Sequence, residues 1–366
     1  MKFKKKIITI VGTRPEIIRL SRIIQKLDQF TDHQIIHTGQ NYDYELDQIF
    51  FKELKVRKPN YFLNCSGSFA EQISTIFVKL EKILKVEKPD IFLVLGDTNS
   101  SLGAVIAKRL GIQVFHMEAG NRSYNKESPE EINRKIIDHV SDILLPYTYR
   151  SLENLISEGI PRKKIFITGN PIYEVINFYK EYIDNSKILR KLKLKEKDFF
   201  LITMHRQENV DDIKTLENSI IQFNAIAKTF SKKIIFPIHP RTKKNFKKLK
   251  ISLNKNIKII SPLGFFDFIK LEKNAYCILT DSGTVQEEGH ILKIPTVIIR
   301  DSTERPETIE SGSSIIVGKN LNYLENSIRI QLLNSLEQDI IADYFIKDVS
   351  SKILKILMST FKNNEI

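Results

Sequence analysis

Short apolar runs alternate with helical patterns along almost the whole chain, and this rhythm limits the fold more than any other feature. Lys6-Ile-Ile-Thr-Ile-Val11 reads as a buried strand, and Gly12-Thr13-Arg14 turns it into a helix beginning near Pro15. Further strands are predicted at Gln34–Thr38, Ile91–Leu95, Gln113–Phe115, Asp142–Leu145 and Ile165–Thr168. Helical patterns fall between them, near Tyr44–Leu54, Phe69–Leu84, Leu102–Leu110, from Pro129 and near Tyr149–Ser157. The second half repeats the rhythm, with strands at Phe199–Thr203, Lys233–Pro237, Ile257–Ile260, Ala275–Thr280 and Thr296–Arg300. Its helices are expected at Thr215–Thr229, Phe265–Lys273 and Thr284–Leu292, with two more after Tyr323. Strand-helix alternation of this kind predicts an α/β fold with parallel sheets covered by helices on both faces. At 366 residues there is room for about two such domains. The densely charged helical stretch Tyr179–Lys197 marks the crossing between them.

In open parallel sheets ligands bind beyond the carboxyl ends of the strands, so those ends are where chemistry is sought. The Gln113–Phe115 strand is followed by Glu118, a loop carrying Arg122, and a helix opened by Ser128-Pro129 with Glu130, Glu131 and Arg134. Capping and the helix dipole alone would account for Glu130 and Glu131, but not for Glu118. Arg14 and Asp97 end two other strands of the first half, and Arg19 lies one turn into the first helix. In the second half, His205 and His239 end two strands, and Asp281-Ser282-Gly283-Thr284 joins a third to its helix. Uncapped N–H groups beside a glycine make an anion site there, although an Asp or Ser N-cap is the plainer reading. A helix end contributes only about 1 kcal/mol to a bound anion. Cations such as Arg14, His205 and Arg305 would have to supply the rest.

The net charge of +13 raises the question of nucleic acid, but the lysines are dispersed through Ile- and Asn-rich sequence without an aromatic-interleaved patch. Two distant cysteines, Cys65 and Cys277, fit a reducing cytosol with neither disulfide nor zinc site. No run approaches a membrane span or a signal-peptide core, so a cytoplasmic protein is expected. Neither a G-x-G dinucleotide fingerprint nor a P-loop occurs, and no cofactor or metal is expected.

The segments Gly12-Thr-Arg-Pro-Glu16, Gly96-Asp97-Thr98, Glu118-Ala-Gly-Asn-Arg122, Pro129-Glu-Glu-Ile-Asn-Arg134, His205-Arg206, His239-Pro240, Asp281-Ser-Gly-Thr-Val-Gln-Glu-Glu288 and Asp301-Ser-Thr-Glu-Arg-Pro306 together resemble the motifs of the non-hydrolysing UDP-N-acetylglucosamine 2-epimerases. The match runs through nearly the whole chain in order. It implies a GT-B-like architecture, with two Rossmann-like domains around a central cleft, and a homodimer. The domains would be residues 1–175, on which a C-terminal helix at 350–366 packs back, and a UDP-binding domain at 176–349. The resemblance also implies a UDP-activated acetamido sugar as substrate. Asp97, Glu118, Glu130 and His205 match catalytic positions. Arg14, Arg19, Arg122, Arg134, His239, Ser282, Gly283, Thr284, Glu288 and Arg305 match substrate contacts, with Glu288 suited to the ribose hydroxyls.

Chemistry favours one route for such an enzyme. The hydrogen on an acetamido-bearing C2 is not next to a carbonyl, so its removal alone gives no stabilised anion. Loss of UDP from C1 with the C2 proton, followed by re-addition to the 2-acetamidoglycal, needs only acids, bases and cations. Arg19 stands where the family commonly has lysine, Asn41-Tyr42 where it has His-Arg, Asn121 where it has leucine and Leu263 where it has glutamine. With the Gly39–Tyr44 loop, these departures resemble the branch that makes UDP-N-acetyl-L-fucosamine from its 6-deoxy-L-talose epimer, in capsule or O-antigen precursor synthesis. The alternatives are interconversion of UDP-N-acetylglucosamine and UDP-N-acetylmannosamine or, in a different class, a GT-B glycosyltransferase.

Overall fold

A computed structural model describes residues 5–39, 44–126, 128–238, 240–246, 248–249, 251–334 and 338–359. His239, Asn41, Tyr42 and the last seven residues of the expected C-terminal helix lie outside them. The chain divides into two compact units, one formed by the residues up to Asn177 and from Ala342 onward, the other by Phe178–Ile341.

Six strands form the sheet of the first unit: β1 (Lys6–Val11), β2 (Asp32–His37), β3 (Tyr61–Phe62), β4 (Ile91–Leu95), β5 (Gln113–Met117) and β6 (Ile143–Leu145). Six more form that of the second: β7 (Phe199–Thr203), β8 (Lys233–Pro237), β9 (Ile257–Ile260), β10 (Cys277–Thr280), β11 (Thr296–Ile298) and β12 (Ser314–Ile316). The first sheet runs β3-β2-β1-β4-β5-β6 and the second, read from its other edge, β9-β8-β7-β10-β11-β12. Both are parallel throughout and share the doubly wound Rossmann order, so each unit is Rossmann-like. The order reverses between β1 and β4 in one sheet, and between β7 and β10 in the other.

The period of two along a strand explains why these runs are apolar without interruption. In β7, Phe200 and Ile202 pack with Phe223 and Ile226 of the helix Ile213–Thr229 on one face. Phe199 and Leu201 pack with Leu271 and Val285 on the other. Both faces are covered, so every position is buried and no polar alternation survives.

Two expectations differ from the structure, and two edge strands were not expected. The predicted strand Ile165–Thr168 reduces to a single bridge between Leu144 and Ile165. Phe166 and Thr168 donate to the Leu144 and Pro146 carbonyls, but Pro146 has no N–H with which to continue the ladder. The helix expected at Leu102–Leu110 begins as a 3-10 turn, Asn99–Gly103, and continues as Ala104–Arg109. The edge strands β3 and β12, two and three residues long, are too short to show a period.

The tail returns to the first unit through specific contacts. Glu174 accepts from Ser350 N and Oγ at 2.8 and 2.5 Å, and the Tyr173 and Phe345 rings meet edge-on with centroids 5.1 Å apart. The helix Val349–Met358 then packs on the helix Arg14–Phe30. No helix among the described residues is long and apolar enough to cross a membrane.

Gly120, in the loop after β5, has φ +81°, and a Cβ there would stand 2.2 Å from the Ser151 carbonyl oxygen. Gly111 has a similar φ of +76° with nothing within 4 Å. Gly111→Ala should therefore cost about 1 kcal/mol, from backbone strain alone. Gly120→Ala should cost about 1–3 kcal/mol more, because backbone must move. Parallel thermal melts of the two variants check the difference.

Candidate functional site

In the first unit the site residues gather where β1, β4 and β5 end. Thr13 is an extended N-cap, and Glu16, in the first turn of the helix Arg14–Phe30, reaches back to close a capping box. One Glu16 oxygen accepts from Gly12 N (2.8 Å), Thr13 N (2.7 Å) and Thr13 Oγ1 (3.0 Å), and the other from Thr98 Oγ1 (2.7 Å). Glu16 thus ties the end of β1, where Arg14 sits half-buried, to the loop after β4. Burial pushes its carboxyl up to about 7, against the pull of those donors.

Asp97 follows Gly96, whose φ is +70°. Thr98, and not Asp97, is the N-cap of the turn that follows. The Asp97 carboxylate pairs instead with Arg134 Nη2 at 2.5 Å, while its carbonyl accepts from Asn133 Nδ2 at 2.8 Å. Arg134 also donates to Glu131 at 2.9 Å, and Glu131 accepts from Ser123 N and Oγ at 3.0 and 3.1 Å. Ser128 is the N-cap of the helix Pro129–Val140, but its hydroxyl donates to Glu130 (2.7 Å) and does not cap the backbone.

Glu118 is buried and holds φ +64°, a conformation that costs a non-glycine residue of order 1 kcal/mol or more and that clusters at functional sites. Arg19 donates to one of its oxygens and Asn121 Nδ2 to the other at 3.2 Å. Asn121 is held in turn by Ser151 Oγ at 2.7 Å, and the Arg19 guanidinium lies 5.7 Å above the Tyr147 ring. A Cβ on Gly96 would come within 3.9 Å of the Glu118 carboxylate, which places that carboxylate over the end of β4.

Arg122, expected as a substrate contact, is engaged within the unit. Its guanidinium is wholly buried, clamped by Glu158 (2.8 and 2.6 Å), Asp138 (2.7 Å) and the Asn121 carbonyl (2.8 Å). Asp138 also bonds His116 Nδ1 at 2.8 Å. Arg122 therefore secures the loop that carries Glu118 and Asn121. Arg19, expected on substrate, is engaged with Glu118.

In the second unit the corresponding place is the β7–β10 junction. Asp281, wholly buried, does not cap the next helix. It accepts from His205 N (2.9 Å), Arg206 N (2.9 Å) and Asn209 Nδ2 (3.0 Å). His205 Nδ1 lies 3.3 Å from its carboxylate, and the His205 side chain is 55% exposed. Ser282 is the N-cap of Gly283–Leu292, yet its hydroxyl does not accept from the first turn, which begins with Gly283 and Thr284.

Around this helix start three arginines share one buried carboxylate. Glu304 is approached by Arg206 Nη2 (3.1 Å), Arg300 Nη1 (2.9 Å) and Arg305 Nη1 (3.7 Å), and Arg305 Nε also donates to Glu287. A Cβ on Gly283 would stand 2.8 Å from Glu304 and 3.6 Å from the Arg305 guanidinium, so the glycine admits this cluster to the helix end. Gln286 fixes the Arg305 backbone through its carbonyl at 3.0 Å. Glu288 is on the same helix and buried. Arg206, Arg300 and Glu304 were not among the expected site residues, although Arg206 and Arg300 both follow strands. Among the described residues no group of three His, Cys, Asp or Glu side chains could hold a metal ion.

Comparison with known proteins bears on what these junctions serve. Residues 25–358 match the UDP-N-acetylglucosamine 2-epimerase family. A UDP-N-acetylglucosamine 2-epimerase of Methanocaldococcus jannaschii is 46% identical over 89% of this chain and 92% of its own length. A UDP-2,3-diacetamido-2,3-dideoxy-D-glucuronate 2-epimerase of Pseudomonas aeruginosa is 35% identical over 91% of this chain and 94% of its own. The crystal structure of a Methanocaldococcus jannaschii UDP-GlcNAc 2-epimerase in complex with UDP-GlcNAc and UDP superposes with a TM-score of 0.90 at 44% identity, covering 96% of this chain and 99% of that one. The chain belongs to the UDP-N-acetylglucosamine 2-epimerase family and is an isomerase.

Proposed function

We propose that the protein inverts C2 of UDP-N-acetylglucosamine by eliminating and re-adding UDP. The observation that carries this reading is the helix start at Gly283, whose first-turn N–H groups the Ser282 hydroxyl does not bond and around which Arg206, Arg300 and Arg305 gather. Backbone N–H groups and guanidiniums there suit a diphosphate, whose negative charge grows as the C1–O bond breaks. Ser282, Gly283, Thr284, Arg305 and His205 take the diphosphate in this reading, and Glu288 takes the ribose hydroxyls. Asp97, Glu118 and Glu130 serve the sugar, with Arg14 and Arg134 beside them. One carboxylate removes the C2 proton as the C1–O electron pair leaves with UDP, giving the 2-acetamidoglycal. A proton delivered to the opposite face of C2, with return of the phosphate oxygen to C1, completes the inversion.

The relatives named for UDP-N-acetylglucosamine support that substrate. The competing reading, 6-deoxy-L-talose to L-fucosamine, is favoured by Asn121, whose amide donates to Glu118 where the common pattern has leucine. A homodimer rests on the family resemblance and a cytoplasmic location on the two distant cysteines, Cys65 and Cys277; light scattering of the purified protein tests the dimer.

Incubation in D2O with each UDP-sugar, followed by NMR at C2, separates the readings. Deuterium at C2 with UDP-N-acetylglucosamine is expected. Exchange confined to the 6-deoxy sugar reassigns the substrate, and transfer to an acceptor without exchange points to a glycosyltransferase. Glu118→Gln should keep UDP affinity within a few-fold while lowering turnover by about 10² or more; near-normal exchange would remove Glu118 from the chemistry. Arg305→Ala should weaken UDP by about tenfold or more in calorimetry.

A further inference from the structure

Glu272 is a buried acid that the proposed reaction leaves unused. It lies on the helix Phe265–Asn274, which packs against Gly283–Leu292 within the second unit. Its side chain is wholly buried, on a helix whose Phe265, Ile269 and Leu271 are buried as well, and leucine or methionine at that position would carry no electrostatic cost. Neither carboxyl oxygen meets an N–H or hydroxyl donor among the described residues. What it does meet is a second carboxyl group, that of Glu288, within hydrogen-bonding reach and itself only 3% exposed.

Two carboxyl groups in such contact cannot both be ionised away from water, so the pair keeps a proton. Burial and the neighbouring Glu288 raise the Glu272 carboxyl well above the ordinary carboxylate range. Glu272, the group so raised, is then the member that holds the proton, with the Glu288 carboxylate in reach of its O–H. A hydrogen bond to a charged acceptor in an apolar surround is strong and directional.

We propose that Glu272 is a positioning residue for nucleotide recognition: as a neutral acid it donates to Glu288 and fixes that carboxylate, ionised, in the orientation that accepts the hydroxyls of the nucleotide's ribose. The inference rests on the reading of Glu288 given above. It makes the preference for a ribonucleotide a property of an acid pair in which Glu272 need not touch the ligand.

Calorimetric affinities for UDP and 2′-deoxy-UDP, measured on the full chain, test it. The unaltered protein and Glu272→Gln, whose amide can still donate, should prefer UDP by about tenfold. Glu288→Gln should lose most of that preference. Glu272→Leu should lose at least about threefold of it with no fall in melting temperature, because the buried acid has been replaced by an apolar group. Glu272→Met, more adaptable in shape, takes its place if the leucine variant does not fold. Loss of preference in Glu288→Gln with full retention in Glu272→Leu or Glu272→Met overturns the inference alone. Full retention in Glu288→Gln overturns the ribose reading and the inference with it.

Discussion

Parallel pairing forces every strand of a sheet to end on the same side, and where the strand order reverses the loops leaving that side diverge. Each unit of this protein obeys the constraint in the same order. In one, the reversal brings together Thr13 after β1, Asp97 after β4 and, next along, Glu118 after β5. In the other it brings together His205 after β7 and Asp281 after β10. Residues as far apart in sequence as Glu16 and Thr98, or Arg206 and Glu304, become neighbours because the topology leaves them no other place. Local sequence then refines the positions. The Glu16 capping box fixes the first loop, and the missing side chain of Gly283 lets Glu304 approach a helix end.

The electrostatic characters of the two junctions differ. The first is a set of buried pairs, Arg19 with Glu118 and Arg134 with Asp97, braced by Arg122 with Asp138 and Glu158. Burying such ions costs several kcal/mol each in desolvation, which pairing only partly returns. What the arrangement gains is orientation, since each carboxylate has its rotamer set by a partner that is itself packed. The second junction concentrates guanidiniums on one carboxylate beside a helix start. That is a poor arrangement for stability in isolation and a good one for an incoming anion.

Much of this was legible in the chain. The apolar runs of β1, β4, β7 and β10 are long enough to declare themselves, and the polar residues that follow them mark the junctions without knowledge of distance. Three things were not legible. Short edge strands carry no period. Capping propensity names residues able to cap without saying which does, so Asp281 could be read as a cap although tertiary partners claimed its side chain. And a motif position does not distinguish a residue that meets a ligand from one that holds the loop beneath it. Arg122 sits within the Glu118-Ala-Gly-Asn-Arg122 run, yet its guanidinium turns into the unit. Glu304 could not be recognised as a hub, because Arg300 and Arg305 share its own loop after β11 while Arg206 reaches it from the loop after β7.

On the proposed reading, the division of labour follows from what elimination demands. Charge accumulates on the leaving diphosphate, so the groups that hold it should be cationic and fixed in advance. Reorienting dipoles during bond cleavage would return the barrier that the site removes. The proton at C2 needs the opposite: carboxylates whose oxygens are aimed and whose surroundings change little between the two faces of the glycal. The guanidiniums of the two junctions are arranged accordingly: in the first, Arg19 and Arg134 are each paired with a carboxylate, and in the second, Arg206, Arg300 and Arg305 gather beside a helix start. Each unit thus carries one of these characters at the same place in its topology, paired acids in the first and arginines around a helix start in the second.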